Sequence, residues 1–176
     1  MLRIADLRRS FPRPYETLEA QLGKFALIQR PPDPVLRQVA MQLSSARTVT
    51  MAHRSRIAEQ LMVMLHAFEN FLVLGVNAGA EDAEFTVGRL PDSNIVVQDP
   101  SASQHHAVLR WSGATREAWV RDLTSTNGTF VNARELYEET ALMDGDTLSF
   151  GDAHFMFLLT PTVHAQLSNL SAGGGP

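Results

Sequence analysis

The chain contains no cysteine at all. That absence removes disulfides, thiolate metal sites, iron–sulfur clusters and cysteine nucleophiles together, so folding rests on apolar burial. Long hydrophobic runs are missing as well. The most apolar stretch, residues 61–76, is interrupted by His66, Glu69 and Asn70, short of the roughly 20 apolar residues a spanning helix needs. The first residues carry Arg3, Arg8, Arg9 and Arg13 without an apolar core of the secretory type. The expectation is a soluble cytoplasmic protein with no membrane contact. No P-loop, GxSxG, HExxH or paired-carboxylate pattern occurs, which argues against an enzyme. Basic clusters with interleaved aromatics are also absent, which argues against nucleic acid as a partner.

What is present is a core-forming composition of 44% hydrophobic and 19% charged residues over 176 positions, enough for one domain or a small domain with an appendage. The net charge of −4 conceals an asymmetry. Residues 1–70 hold ten Lys and Arg against six Asp and Glu, and the remainder holds five against thirteen. A basic arm thus precedes an acidic body, and the two surfaces are expected to attract.

Residues 1–70 show helical periodicity. Leu18, Leu22, Phe25 and Ala26 recur at i, i+4, i+7 and i+8 and predict one amphipathic helix. After Pro31 and Pro32, Asp33 is a candidate N-cap with Pro34 at the first helical position, and Leu36, Val39, Ala40 and Leu43 form the next stripe. Ile57, Leu61, Met64, Leu65 and Phe68 form a third. Such stripes must be buried, so this helical N-terminal region is expected to dock on the following body or to support homo-oligomerisation. Thr17, and Thr48 and Thr50 in the Ser/Thr-rich stretch between the second and third stripes, are candidate phosphosites.

From residue 71 the pattern changes to short β-type runs at 71–76, 85–87, 95–97, 107–111, 118–122, 129–131, 147–150 and 154–159. Turn chemistry separates them at 77–79, 91–92, 112–113, 127–128 and 144–145. This predicts a mainly β protein, an antiparallel sandwich over residues 71–160. Residues 161–176 read as a short C-terminal segment ending in a flexible Gly-rich tail.

Between the strands lies an ordered polar set: Gly88-Arg89, Ser103-Gln104-His105-His106, Asp122-Leu123, Thr126-Asn127-Gly128-Thr129-Phe130-Val131-Asn132, Gly145-Asp146 and Phe150-Gly151. In this order the pieces resemble the forkhead-associated (FHA) domain, over about residues 71–160. The resemblance implies a β-sandwich that binds phosphothreonine peptides on the loops at one end. It also implies an adaptor role in bacterial-type Ser/Thr kinase signalling, whose partner is a phosphothreonine-bearing kinase or kinase substrate. Neither cofactor nor metal is implied. By it, Arg89, Ser103, Gln104, Thr126 and Asn127 are expected to meet the phosphopeptide, while Gly88, His106, Gly128 and Asn132 are expected to hold the framework. The residue types suit the task. A phosphothreonine brings about −1.5 to −2 charge and three strong acceptor oxygens, which a forked guanidinium and a hydroxyl donor can meet. Gln104 departs from the basic residue often found there and keeps donors without the charge. His105 and His106 could suggest a metal pair, but neighbours on an extended segment face opposite sides. The alternative reading is a structural or assembly subunit that uses the same fold for phosphate-independent protein contacts.

Overall fold

The computed structural model describes residues 2–45, 56–75 and 82–172. Its architecture follows from two strands that are apolar at consecutive positions, β2 (Phe25–Gln29) and β12 (Ala153–Leu159). Such strands are buried on both faces. Phe25, Leu27, Phe155 and Phe157 enter one core cluster, whereas Ala26, Ile28, Met156 and Leu158 enter another. The two strands pair antiparallel, with Leu27 opposite Phe157 and Ile28 opposite Met156.

Around this pair the described residues build a seven-stranded sheet. One side adds β3 (Leu72–Gly75) and then the short β1 (Leu2–Arg3). The other adds β11 (Thr147–Phe150), β8 (Thr129–Val131) and β9 (Arg134–Glu135). A second sheet of five strands runs β10 (Thr140–Leu142), β7 (Glu117–Asp122), β6 (Ala107–Ser112), β4 (Asp82–Gly88) and β5 (Ile95–Val96). Its strands alternate as half-buried strands should: Ala107, Leu109 and Trp111 face the sandwich core, and Val108, Arg110 and Ser112 are only partly buried.

Helices cover the outer face of the seven-stranded sheet. These are α1 (Ile4–Arg9), α2 (Tyr15–Leu22), α3 (Asp33–Ser45), α4 (Arg56–Ala67) and α5 (Thr160–Ala172). Ile4, Leu7, Leu18, Leu22, Leu36, Leu61, Met64, Leu65, Val163 and Leu167 form a buried layer with the outward residues of β2, β3 and β12. The order is helices, sheet, sheet: a two-sheet β-sandwich with an N-terminal helical segment, which departs from the expected boundary at residue 71 because β1 and β2 of that segment are strands of the larger sheet. None of these helices is long and apolar enough to cross a membrane.

Several expectations change. The stripe expected to be a single helix over Leu18–Ala26 is a helix only as far as Leu22. Gly23 adopts φ of +78°, and Phe25 and Ala26 begin β2. A short apolar run satisfies helix and strand templates alike, and here the distant partner β12 decides. Helix α3 begins at Asp33 itself, and Leu43, expected on its buried stripe, is 40% exposed. Residues 134–135, 140–142 and 160–172 form β9, β10 and α5, none of which their local pattern announced. Residue 76, the turn at 77–79, Thr48, Thr50 and the end of the tail at 173–176 lie outside the described residues.

The N-terminal segment joins the sandwich through apolar packing and through the backbone pairing of β2 with β12 and β3. Among the described residues no ion pair joins positions before 71 to positions after it, so the charge asymmetry does not operate through direct pairing. Contact is close instead. Gly145, at φ of +92°, lies against α4, where an added Cβ would come within 2.5 Å of the Ile57 side chain. Thr160 Oγ1 donates to the Gly23 carbonyl at 2.6 Å.

Candidate functional site

Strand β4 ends at Gly88, and the segment 103–106 crosses directly over it. The Arg89 N–H donates to the Ser103 carbonyl at 2.9 Å and the His106 N–H to the Val87 carbonyl at 2.8 Å. A Cβ at position 88 would stand 2.1 Å from the Gln104 carbonyl oxygen. Glycine is therefore required here for close approach of two backbones rather than for a left-handed dihedral. Gly128, by contrast, does adopt φ of +77°.

His106 is fully buried and uses both ring nitrogens. Nδ1 accepts from the Ser103 N–H at 2.9 Å, so Nε2 carries the proton and donates to the Gly128 carbonyl at 3.1 Å. The edge of the ring meets Phe150, with centroids 5.5 Å apart. Burial pulls its pKa below that of a free imidazole, against the smaller opposing effects of the Gly128 carbonyl and the Asp122 charge. This neutral side chain therefore ties the 103–106 loop to the 122–129 loop. With both nitrogens engaged, it has none left for a metal. Among the described residues no group of three His, Asp or Glu side chains is placed to hold an ion.

The second loop is wound around Asp122. Its carboxylate accepts the Ser125 N–H at 2.9 Å, the Ser125 hydroxyl at 2.6 Å and the Thr129 hydroxyl at 2.6 Å. Burial pushes its pKa up, but the bonds from Ser125 and Thr129 outweigh that and hold it below the usual carboxylate value. Asp122, part of the ordered polar set but given no role from the sequence, is thus a framework residue of this loop. The available signal was the Asp-x-x-Ser spacing of a side chain that bonds its own turn.

The two loops meet through Ser103 and Thr126. The Thr126 N–H donates to Ser103 Oγ at 2.9 Å, and the two hydroxyl oxygens lie 3.4 Å apart. Asn127 follows, its Nδ2 donating to the Ser101 carbonyl at 2.8 Å. Arg89 lies exposed alongside, its Nε bonded to the Ala102 carbonyl at 3.2 Å. Its two terminal amino groups have no protein partner among the described residues. Gln104 is exposed on the same loop. Arg89, Ser103, Gln104, Thr126 and Asn127 thus lie on loops that hydrogen bonds join to one another. Asn132 lies apart from them. At φ of +51° it bonds the Thr147 N–H through Oδ1 at 3.0 Å and Asp146 through Nδ2 at 2.7 Å, pinning one turn to another.

The sequence of residues 85–151 matches the FHA domain family, and with the two-sheet sandwich and this loop arrangement that part of the chain is an FHA domain. That family is one of phosphothreonine-binding modules, typically non-catalytic. Its relatives include the transcriptional regulatory protein EmbR of Mycobacterium tuberculosis, 29% identical over 153 residues, covering 86% of this chain and 37% of EmbR. They include also the glycogen accumulation regulator GarA of Mycolicibacterium smegmatis, 37% identical over 91 residues, covering 49% of this chain and 56% of GarA. The chain thus spans little more than a third of EmbR and just over half of GarA. A crystal structure of the FHA domain of Chlamydia trachomatis CT664 aligns with a TM-score of 0.44 at 24% identity, covering 49% of this chain and 84% of that one.

Proposed function

We propose that this chain binds phosphothreonine-containing segments of a protein partner through the loops 89–94, 99–106 and 122–128, as an adaptor in Ser/Thr kinase signalling. The observation that carries the reading is the placement of Arg89. Its unpartnered guanidinium termini belong to a side chain anchored next to Ser103, on loops locked to the Thr126-Asn127 segment. Ser103 Oγ accepts from the Thr126 N–H at 2.9 Å, and its own proton, given to Thr126 Oγ1 only over a long 3.4 Å, can turn instead to a phosphate oxygen. Asn127 spends one amide hydrogen on Ser101, which leaves a donor and Oδ1 for the main chain of a bound peptide. Gln104 adds a neutral donor, so the phosphate charge is balanced chiefly by Arg89.

The test is calorimetry with a phosphothreonine peptide and its unphosphorylated copy, on the wild-type chain and Arg89→Ala. Losing a charge partner of this kind costs about 2 to 5 kcal/mol, roughly 30- to 4000-fold in affinity. Because Arg89 is exposed, the melting temperature should hardly move. Equal affinity of the wild type for both peptides overturns the reading in favour of a phosphate-independent contact module.

A further inference from the structure

Beside Asn127 lies a feature that the phosphate chemistry leaves unused. Glu135 pairs with Phe130 across β8 and β9, and the Leu136 N–H donates to the Thr129 carbonyl at 2.9 Å. Tyr137 follows in a bend just past the end of β9. Glu135 Oε1 lies 3.0 Å from where a Cβ of residue 128 would be. The Tyr137 hydroxyl donates to Glu135 Oε2 at 2.8 Å, while 89% of the tyrosine is exposed. An aromatic ring is thus held in solvent next to a carboxylate, immediately after the asparagine assigned to the peptide main chain.

The surrounding charges leave this pair available. No ion pair engages Glu135 among the described residues. Arg134 precedes it, but neighbours on a strand face opposite sides, so Arg134 shares the side of Val131. The segment 97–106 contains Asp99 and no Lys or Arg. Asp152 approaches from the other flank, its N–H bonded to Ser101 Oγ at 2.8 Å. The hydrogen bond to Glu135 also raises the Tyr137 pKa, so the phenol stays protonated and keeps its grip.

We propose that Glu135 and Tyr137 form a cation-accepting ledge, and that the phosphopeptide selected by this chain carries an arginine or lysine shortly after its phosphothreonine. A guanidinium or ammonium lying on the ring and pairing with the carboxylate satisfies both groups at once. The inference rests on the binding reading above and adds the residue that distinguishes one phosphothreonine partner from another.

The experiment uses phosphothreonine peptides that differ only at the first few positions after the phosphothreonine, with Arg, Ala or Asp in turn. Each is titrated into the full chain as wild type, Glu135→Gln, Glu135→Lys and Tyr137→Ala, with melting curves to confirm folding. At one of these positions the wild type should favour Arg over Asp by about 5- to 30-fold, the combined share of an exposed ion pair and a cation–π contact. Glu135→Gln should shrink that ratio to a few-fold, Glu135→Lys should reverse it, and Tyr137→Ala should weaken the Arg peptide by about 2- to 5-fold. Phosphate-dependent binding with equal Arg and Asp affinities at every position overturns the ledge alone, as does a preference that survives Glu135→Lys. Absence of phosphate-dependent binding overturns the functional reading and the ledge with it.

Discussion

His106 Nε2 lies 3.1 Å from the carbonyl oxygen of Gly128, so the ring of one loop holds the residue that follows Asn127 in the other. Because burial lowers the pKa of this imidazole below its free value of 6.5, the folded state prefers the neutral ring more strongly than the unfolded chain does. Between the two pKa values the unfolded chain binds more protons. The contribution is therefore complete above about pH 6.5 and is lost as the pH falls toward the folded value. Melting temperatures taken from pH 8 to pH 5 should fall more steeply for the wild type than for His106→Gln, in which every other histidine is retained. His106→Ala should cost about 2 to 4 kcal/mol, from two lost hydrogen bonds and a cavity, and should weaken phosphopeptide binding as well. Parallel pH curves for wild type and His106→Gln would show that the ring's protonation is not coupled to folding.

Gly88→Ala should disturb the site without touching any proposed ligand contact. The added methyl would stand 2.1 Å from the Gln104 carbonyl oxygen, a backbone atom that cannot rotate away. The 103–106 loop must move, carrying Ser103 away from Thr126. A loss of about 1 to 3 kcal/mol in stability is expected, with phosphopeptide affinity reduced in the same variant. An unchanged melting curve and unchanged calorimetry would mean that the crossing of these backbones is looser than described.

Removing residues 1–29 should destroy the domain even though the family match begins at residue 85. The deletion takes out β2 from between β3 and β12. With it goes Phe25, whose ring packs at 5.2 Å from Phe157, 5.9 Å from Phe85 and 6.1 Å from Trp111. Apolar β12 would then present an open edge, a known route to aggregation. Size-exclusion chromatography and thermal circular dichroism of residues 30–176 should show aggregation or the absence of a cooperative transition. A monodisperse fragment that melts cooperatively and binds phosphopeptide would refute this account.

The sequence by itself determined those features that local chemistry encodes. Alternation in β6 follows from Ala107, Leu109 and Trp111 against Val108, Arg110 and Ser112. The stripe of α4 is carried by Leu61, Met64 and Leu65. The order of Gly88-Arg89, Ser103 to His106 and Asn127 to Asn132 singled out loops that hydrogen bonds join in the fold, because each piece is a turn or donor at a defined place. Tertiary structure decided the rest. Phe25–Gln29 is a strand because Leu27 finds Phe157 far along the chain, a choice that its own four apolar residues leave open. Gly88 is needed because a separate loop passes over it, and Asp122 matters because Ser125 and Thr129 converge on its carboxylate. Strand β9, and with it the approach of Glu135 to Gly128, exists only through pairing with β8. Periodicity and turn chemistry act over a few residues, whereas strand partners, backbone crossings and shared hydrogen-bond acceptors are settled by contacts between distant segments, which a linear pattern does not contain.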